Sequence, residues 1–227
     1  MKKTNHKNTA FLQQTYQRRF NQFQNEKEFR DDMWKILIKN YFQQFIPRDS
    51  TVLDIPSGYG EFITNITAKK KIAIDLNFDS KKFLPKNVQF IICSSDSIRL
   101  TKNSVDIIFV SNFFEHISRE MIQKTMKEFY RILKSHGKVL VLQPNIRFIQ
   151  KDYWMFFDHV TPIDDRALDE IFEINKMKLI YKVEKFLPFS TKLHYPKSLW
   201  LVNLYLRVPF LWRFFGQQSF LIYEKTA

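Results

Sequence analysis

The sequence predicts an α/β protein: a doubly wound, mostly parallel, Rossmann-like sheet with N-terminal helices and a C-terminal lid. Three observations carry this reading. Between residues 51 and 143, short β-branched runs alternate with helical stretches, the pattern of parallel strands joined by crossover helices. One run, Val105–Ser111, is nearly continuous in apolar residues, as a strand covered on both faces must be. The first run feeds a glycine-containing turn, Ser57-Gly58-Tyr59-Gly60, at the kind of strand end where open α/β sheets bind ligands.

In chain order, residues 1–15 read as a polar arm. From Tyr16 to Ile46 the residues Phe20, Phe23, Trp34, Leu37, Ile38, Tyr41, Phe42 and Phe45 recur at helical spacing, and Pro47 ends the run. Asn25 or Asp31 offers a cap that would divide this stretch into two helices. Strands are expected at Thr51–Ile55, Lys71–Leu76, Val88–Cys93, Val105–Ser111 and Lys138–Gln143, with Pro144 closing the last. Helices are expected at Glu61–Thr67 and Arg119–Leu133, the second ending where Gly137 suits a left-handed stop.

The last third changes character. Asp152–Asp165 has no clear period and reads as a loop, after which Asp164 or Asp165 caps a helix, Arg166–Asn175. Strands follow at Leu179–Phe186 and Ser219–Lys225, with an aromatic, leucine-rich helix between them, Ser198–Phe215, kinked at Pro209. The chain thus divides into an arm and helical cap (1–48), a ligand-binding core (49–150), and an acceptor loop, lid helix and last strands of the same domain (151–227).

Composition narrows the class. With 227 residues, 44% hydrophobic and 26% charged, the chain can bury a core and is not a disordered polymer. The single cysteine, Cys93, excludes a disulfide framework and a multi-thiolate zinc site. The polar start lacks a secretory signal, and no run approaches the roughly 20 apolar residues of a membrane span, so a cytoplasmic protein is expected. Lys+Arg 36 against Asp+Glu 23 gives a net charge of +13, which attracts nucleic acid, anionic lipid or phosphorylated substrates. The joint abundance of Lys, Asn, Ile and Phe fits equally well a compositional bias without a binding role.

Polar residues fall at successive strand tips. Asp54 ends the first strand and offers a carboxylate to an ammonium group; Gly58 and Gly60 let backbone approach a ligand. The phosphate-loop pattern G-x-x-x-x-G-K-[ST] is absent, as is the third glycine of a dinucleotide fingerprint. Asp75, beside Leu76, is placed to accept hydrogen bonds from ribose hydroxyls. Asp96-Ser97 follows the third strand and Ser111-Asn112 ends the fourth. Singly each is an ordinary turn or cap residue; in this order they outline a nucleoside site.

In these segments the chain resembles the class I S-adenosylmethionine-dependent methyltransferases. Val52–Phe62 is similar to their glycine-rich first motif, Asp75 to the ribose-binding acid and Asp96-Ser97 to the adenine-side motif. Asp106–Ile117 resembles their fourth-strand segment and Arg131–Leu140 the turn into the fifth strand. The resemblance implies S-adenosylmethionine as methyl donor, S-adenosylhomocysteine as product, and a donor site of Asp54, Pro56, Gly58, Gly60, Asp75, Leu76, Asp96, Ser97, Ser111 and Asn112. Pro56 departs from the pattern, standing where the family usually has its first glycine, and it lacks the N–H that one cofactor contact would use. Tyr153–His159, Thr161–Arg166, Phe186–Phe189 and Leu204–Arg207 also resemble a subgroup associated with bacterial surface-polysaccharide biosynthesis, which implies a small or glycan-linked acceptor methylated on oxygen.

An alcohol acceptor needs a base, and histidine is the usual one. His159, flanked by Asp158, is the candidate catalytic residue, with packing under the aromatic loop as the alternative. His116, after the fourth strand, is a second credible base, although the Glu115-His116 pair is more often expected to support its loop; His136 is expected to lie on the surface. No carboxylate or histidine cluster has metal-ligand spacing, so no metal is expected. N-P-P-Y is absent and Cys93 is not in a Pro-Cys pair, which argues against DNA-base amine and cytosine-C5 methylation. Trp200, Leu201, Leu204, Tyr205, Val208, Leu211, Trp212 and Phe215, with Arg207 and Arg213 elsewhere on the helix, form an amphipathic face for a membrane interface or for packing within the protein. Two rival readings stay open: an RNA methyltransferase, supported by the charge, and a non-catalytic protein that keeps the donor site.

Overall fold

The structure is a computed structural model that describes residues 27–189 and 198–226. The helix expected from Tyr16 to residue 26, and the capping role of Asn25, lie outside the described residues. Seven strands, β1 (Thr51–Asp54), β2 (Lys70–Asp75), β3 (Val88–Ile92), β4 (Val105–Ser111), β5 (Leu133–Pro144), β6 (Met177–Val183) and β7 (Gln218–Lys225), form one sheet in the order β3-β2-β1-β4-β5-β7-β6. Strands β1 to β5 pair in parallel, while β7 runs antiparallel to both β5 and β6.

Strand alternation builds a core on each face. Leu53, Ile108, Val110, Val139, Val141, Leu221 and Tyr223 enter one buried cluster, whereas Val52, Ile107, Phe109, Leu140, Leu142, Phe220 and Ile222 enter the other. A period of two delivers successive side chains to opposite faces, so the apolar runs read from the sequence are strands buried twice. Helices α3 (Arg119–Ile132) and α5 (Asp165–Ile174) cover the first face, with Phe172 stacked on Tyr223 at 3.8 Å. Helices α1 (Lys27–Asn40), α2 (Glu61–Asn65) and α6 (Leu199–Arg207) cover the second, where Phe62 stacks on Phe109 at 3.6 Å. Short helices α4 (Ile146–Ile149) and α7 (Trp212–Phe215) complete the set.

Several expectations are corrected. Asp31 lies inside α1 and caps nothing there. The left-handed residue after α3 is His136, at φ 61, and not Gly137. Gly137 serves space: a Cβ there would sit 2.9 Å from the Lys134 carbonyl and 3.2 Å from that of Asp106. Strand β5 starts at Leu133 and absorbs this turn as an irregularity opposite Val105 and Ile107. Strand β6 stops at Val183, short of Phe186, which is buried against Tyr41 and Trp212. The predicted kinked helix is divided, because Val208 before Pro209 takes a non-helical conformation. Its Leu206 and Trp212 are buried, so part of the aromatic face packs within the protein, while Trp200, Phe210 and Phe214 stay exposed. No helix among the described residues is long and apolar enough to cross a membrane.

Asp164 caps α5 by accepting from the N–H groups of Arg166 and Ala167. The next residue, Asp165, is 1% exposed and ties three elements together. It accepts from Asn145 Nδ2 at 2.7 Å and Arg147 at 2.8 Å, and pairs with Lys182 at 2.7 Å. Burial pushes its pKa up, but hydrogen bonds from Lys182, Asn145 and Arg147 outweigh burial and hold it below the usual carboxylate value. Asp165→Ala strands two cations against a buried site and is expected to cost about 3 kcal/mol in urea unfolding at neutral pH. Because the folded pKa is the lower one, this stability is present in full above about pH 4 and drains away as the pH falls through the folded value. The stability gap between wild type and variant is therefore expected to narrow below about pH 4; a gap independent of pH contradicts the assignment.

Candidate active site

The sheet order changes direction between β1 and β4, and the turn after β1 lies at that switch point. Backbone bonds hold it from both sides: Ile55 N–H donates to Phe109 O at 3.0 Å and Ser57 N–H to Ile74 O at 2.9 Å. Gly58 and Gly60 have φ of 52° and 74°, the left-handed region that glycine enters without strain. Their surroundings differ. A Cβ at Gly60 would collide with the Leu84 side chain, whereas a Cβ at Gly58 would meet nothing within 4 Å among the described residues. Gly60 is thus a packing glycine, and Gly58 opens onto a cradle.

Asp75 is buried at the tip of β2 and accepts from Gly58 N–H and Asn77 N–H, both at 2.8 Å. Burial raises its pKa, opposed by those bonds. Asp54 is fully enclosed, and burial, reinforced by the nearby charge of Glu61, pushes it well above the usual range. Arg30 on α1 pairs with Glu61 at 2.6 Å, joining the helical cap to the turn. Among the described residues, the buried Ser57 Oγ in this turn makes no hydrogen bond. A buried carboxylate, an unused hydroxyl and an open glycine cradle fit the cationic amino-acid end of a nucleoside-sulfonium donor.

The other predicted donor residues follow along the same sheet edge. Pro56 is half-buried, joined to Ile55 by a cis peptide, and Leu76 is exposed. Asp96 is half-buried and Ser97 exposed in the turn after β3. Ser111 ends β4, and the exposed Asn112, at φ 48°, donates from Nδ2 to Ser111 Oγ at 2.9 Å.

A second polar cluster forms just beyond β4, in the short 3-10 turn Phe114–His116. The Glu115 carbonyl accepts from Val160 N–H at 2.8 Å and Thr161 N–H at 3.1 Å, which fastens the loop after β5 onto this turn. Thr161 Oγ1 donates to Ile117 O, and Tyr153 OH to Thr161 O at 2.8 Å. The loop brings Asp158 to His116: the carboxylate lies 3.1 Å from Nδ1. Asp158 flanks His159 in sequence, where it could orient it or compete for it, and the fold also sets its carboxylate against His116. His159 is 6% exposed; its ring stacks on Phe156 and meets His116 edge-on at 4.8 Å and Tyr153 at 4.9 Å.

Glu115 completes the group. Oε2 accepts from Gln143 Nε2 at 2.8 Å and Oε1 faces His116 Nε2 at 3.7 Å. Burial pushes this carboxyl up, against the pull of His116 and the Gln143 bond. Ligand atoms of Glu115, His116 and His159 all lie within 4.8 Å of one another, a grouping that the linear spacing did not reveal. Gln143 was missed from the sequence; its position at the tip of β5 was the available signal. His136 is surface-exposed beside Glu224, as expected.

Comparison with known proteins agrees with this architecture. Residues 53–141 match the family described as a methyltransferase domain. The ubiquinone/menaquinone biosynthesis C-methyltransferase UbiE of Rickettsia typhi is 27% identical over 177 residues, 69% of each chain. A methyltransferase-like protein of Schizosaccharomyces pombe is 32% identical over 100 residues, 41% of this chain and 38% of its own. Among solved structures, an S-adenosylmethionine-dependent methyltransferase from Archaeoglobus fulgidus superimposes with a TM-score of 0.63 at 20% identity, covering 89% of this chain and 99% of that one. Geranyl diphosphate methyltransferase in complex with S-adenosylmethionine does so at 0.59 and 12%, covering 83% and 84%. Domain match and fold together support a class I S-adenosylmethionine-dependent methyltransferase, with S-adenosylmethionine as its methyl donor.

The two glycines should separate in experiment. Gly60→Ala is expected to lower stability by about 1–2 kcal/mol through backbone strain, plus the displacement of Leu84. Gly58→Ala carries the same backbone cost without a clash, and its larger effect is expected on donor affinity, measured by calorimetry with S-adenosylhomocysteine. Equal loss of donor affinity in both variants, with equal stability, would contradict the distinction.

Proposed function

We propose that the protein transfers the methyl group of S-adenosylmethionine to the oxygen of a small hydroxylated acceptor, glycan-linked acceptors included. On this reading Asp54 binds the donor's ammonium group, and the backbone from Pro56 to Gly60 lies along its amino-acid part. Asp75, beside Leu76, accepts from the ribose. Asp96 and Ser97 face the adenine, and Ser111 and Asn112 mark the boundary with the acceptor. The bound donor supplies a sulfonium methyl; the protein aligns the acceptor for in-line attack and removes its proton.

The observation that carries the acceptor half is the imidazole pair His116 and His159 just beyond β4, with Asp158 on His116 Nδ1. A carboxylate on one ring nitrogen fixes the tautomer and steadies the imidazolium that forms when the other nitrogen takes a proton. That favours His116 as the base, with His159 packed behind it; the more enclosed His159 is the alternative. A second reading places the methyl on carbon. Deprotonating a ring hydroxyl makes the ring carbons nucleophilic, the same base serves, and the neighbouring aromatic rings of Tyr153, Trp154, Phe156 and Phe157 suit a flat acceptor. The C-methyltransferase names of the curated relatives favour it as well.

The test is S-adenosylhomocysteine release with sugar and phenolic acceptors, the product methyl being assigned to O–CH3 or C–CH3 by NMR. His116→Ala is expected to lower turnover about 10²–10⁴-fold with donor affinity intact. If His159→Ala does so instead, the base moves to His159. Donor binding without release for any acceptor supports the non-catalytic reading, and release with RNA alone supports the RNA reading.

Exposed Trp200, Phe210 and Phe214 near Arg207 and Arg213 support peripheral contact with an anionic membrane. Co-sedimentation with phosphatidylglycerol vesicles is expected, weakened by salt and by Phe210→Ser with Phe214→Ser. Equal recovery with neutral phosphatidylcholine vesicles would remove the electrostatic part of this reading.

A further inference from the structure

We propose that Glu115, His116 and His159 form a site for a single divalent cation of the zinc type. Two nitrogens and one carboxylate oxygen are a donor set that zinc accepts, commonly with a further position left for water or substrate. Glu115 Oε1 and His116 Nε2 are 3.7 Å apart, and the ligand atoms of all three residues lie within 4.8 Å of one another. A tetrahedral ion with bonds of about 2.1 Å spaces its ligands by roughly 3.4 Å. Binding therefore requires the three side chains to draw together by up to about 1.4 Å.

Three further features point the same way. The Glu115 side chain is 1% exposed, and among the described residues its Oε1 is a buried acceptor without a hydrogen bond. Its other oxygen is already held by Gln143 Nε2, so the carboxylate is oriented with one oxygen directed at the imidazole. On the far side of His116, Nδ1 lies 3.1 Å from the Asp158 carboxylate. A carboxylate held against one ring nitrogen is the usual outer-shell arrangement of a metal-ligating histidine. A buried carboxylate beside an imidazole is costly unless protonated or matched by positive charge, and a cation supplies that charge.

If methyl transfer is read as above, the ion would take over proton removal: an acceptor hydroxyl bound to it becomes more acidic and releases its proton to water. That role rests on the proposed function, but ion binding does not, and it is measured separately.

The experiment uses the full chain, stripped with a chelator and titrated with cobalt(II). One equivalent is expected to give the visible absorption bands of a tetrahedral ion, to be displaced by zinc(II), and to raise the melting temperature. His116→Asn and His159→Asn are each expected to abolish the bands while circular dichroism stays that of the wild type. Asp158→Asn, which removes no ligand, is expected to weaken binding about 10–100-fold and covers the case in which a ligand variant fails to fold. Folded protein with no bands and no calorimetric heat for zinc overturns the site. So do bands that survive in the His116→Asn, His159→Asn double variant. Donor affinity, followed in parallel with S-adenosylhomocysteine, distinguishes failure of the metal site from failure of the methyltransferase reading.

Discussion

The structure depends on the burial of β1 and β4 on both faces at the centre of the sheet. Leu53, Ile108 and Val110 enter one core, and Val52, Ile107 and Phe109 the other, so neither strand can slip by one residue without exchanging its faces. Fixed register fixes where the strands end. Asp54 and Ser111 therefore emerge at the same edge, and the turn after β1 is bonded to both neighbours. Helix α1 belongs to this system through Trp34, which packs edge-on against Phe62 and Phe109. Phe42, Phe62, Phe109, Phe186 and Phe220 are all buried on this second face.

The polar edge is built against the preference of its groups. Asp54, Asp75 and Glu115 are all buried carboxyls whose pKa is raised by desolvation. Backbone donors at Asp75, and Gln143 at Glu115, offset part of that cost. Groups held this way are poised for a cation. An ammonium or sulfonium arriving near Asp54 favours its ionised form, and a metal ion or imidazolium does the same at Glu115. On the proposed reading the two halves of the site share one electrostatic principle: each buries carboxyls whose ionised form an arriving positive charge would favour.

The C-terminal third is held by a different device. Asp165 gathers Asn145 and Arg147 at the start of α4 and Lys182 on β6, and Asn145 also donates to Ser219 at 2.9 Å on β7. This network keeps the loop after β5 at the sheet edge, from which Val160 and Thr161 reach the Glu115 carbonyl. The placing of His159 and Asp158 depends on this anchoring, since both belong to the same loop.

The amino-acid sequence by itself determined the class of fold, the strands of the core, and the acidic and glycine residues at their tips. These follow from local rules: period-two burial, glycine at positive φ, and turn residues where strands end. Boundaries shifted at several element ends, as at His136, Val183 and Val208. The tertiary structure alone decided that Asp158 belongs to His116, that Gln143 supports Glu115, and that Glu115, His116 and His159 form one cluster. Those residues lie on separate segments, Glu115 and Gln143 differing by 28 positions and His116 and Asp158 by 42. Their meeting is set by backbone bonds from Val160 and Thr161 to Glu115, and such bonds leave no side-chain pattern in a sequence. Local periodicity records which side chains turn inward, while the docking of one loop on another is recorded only in the folded chain.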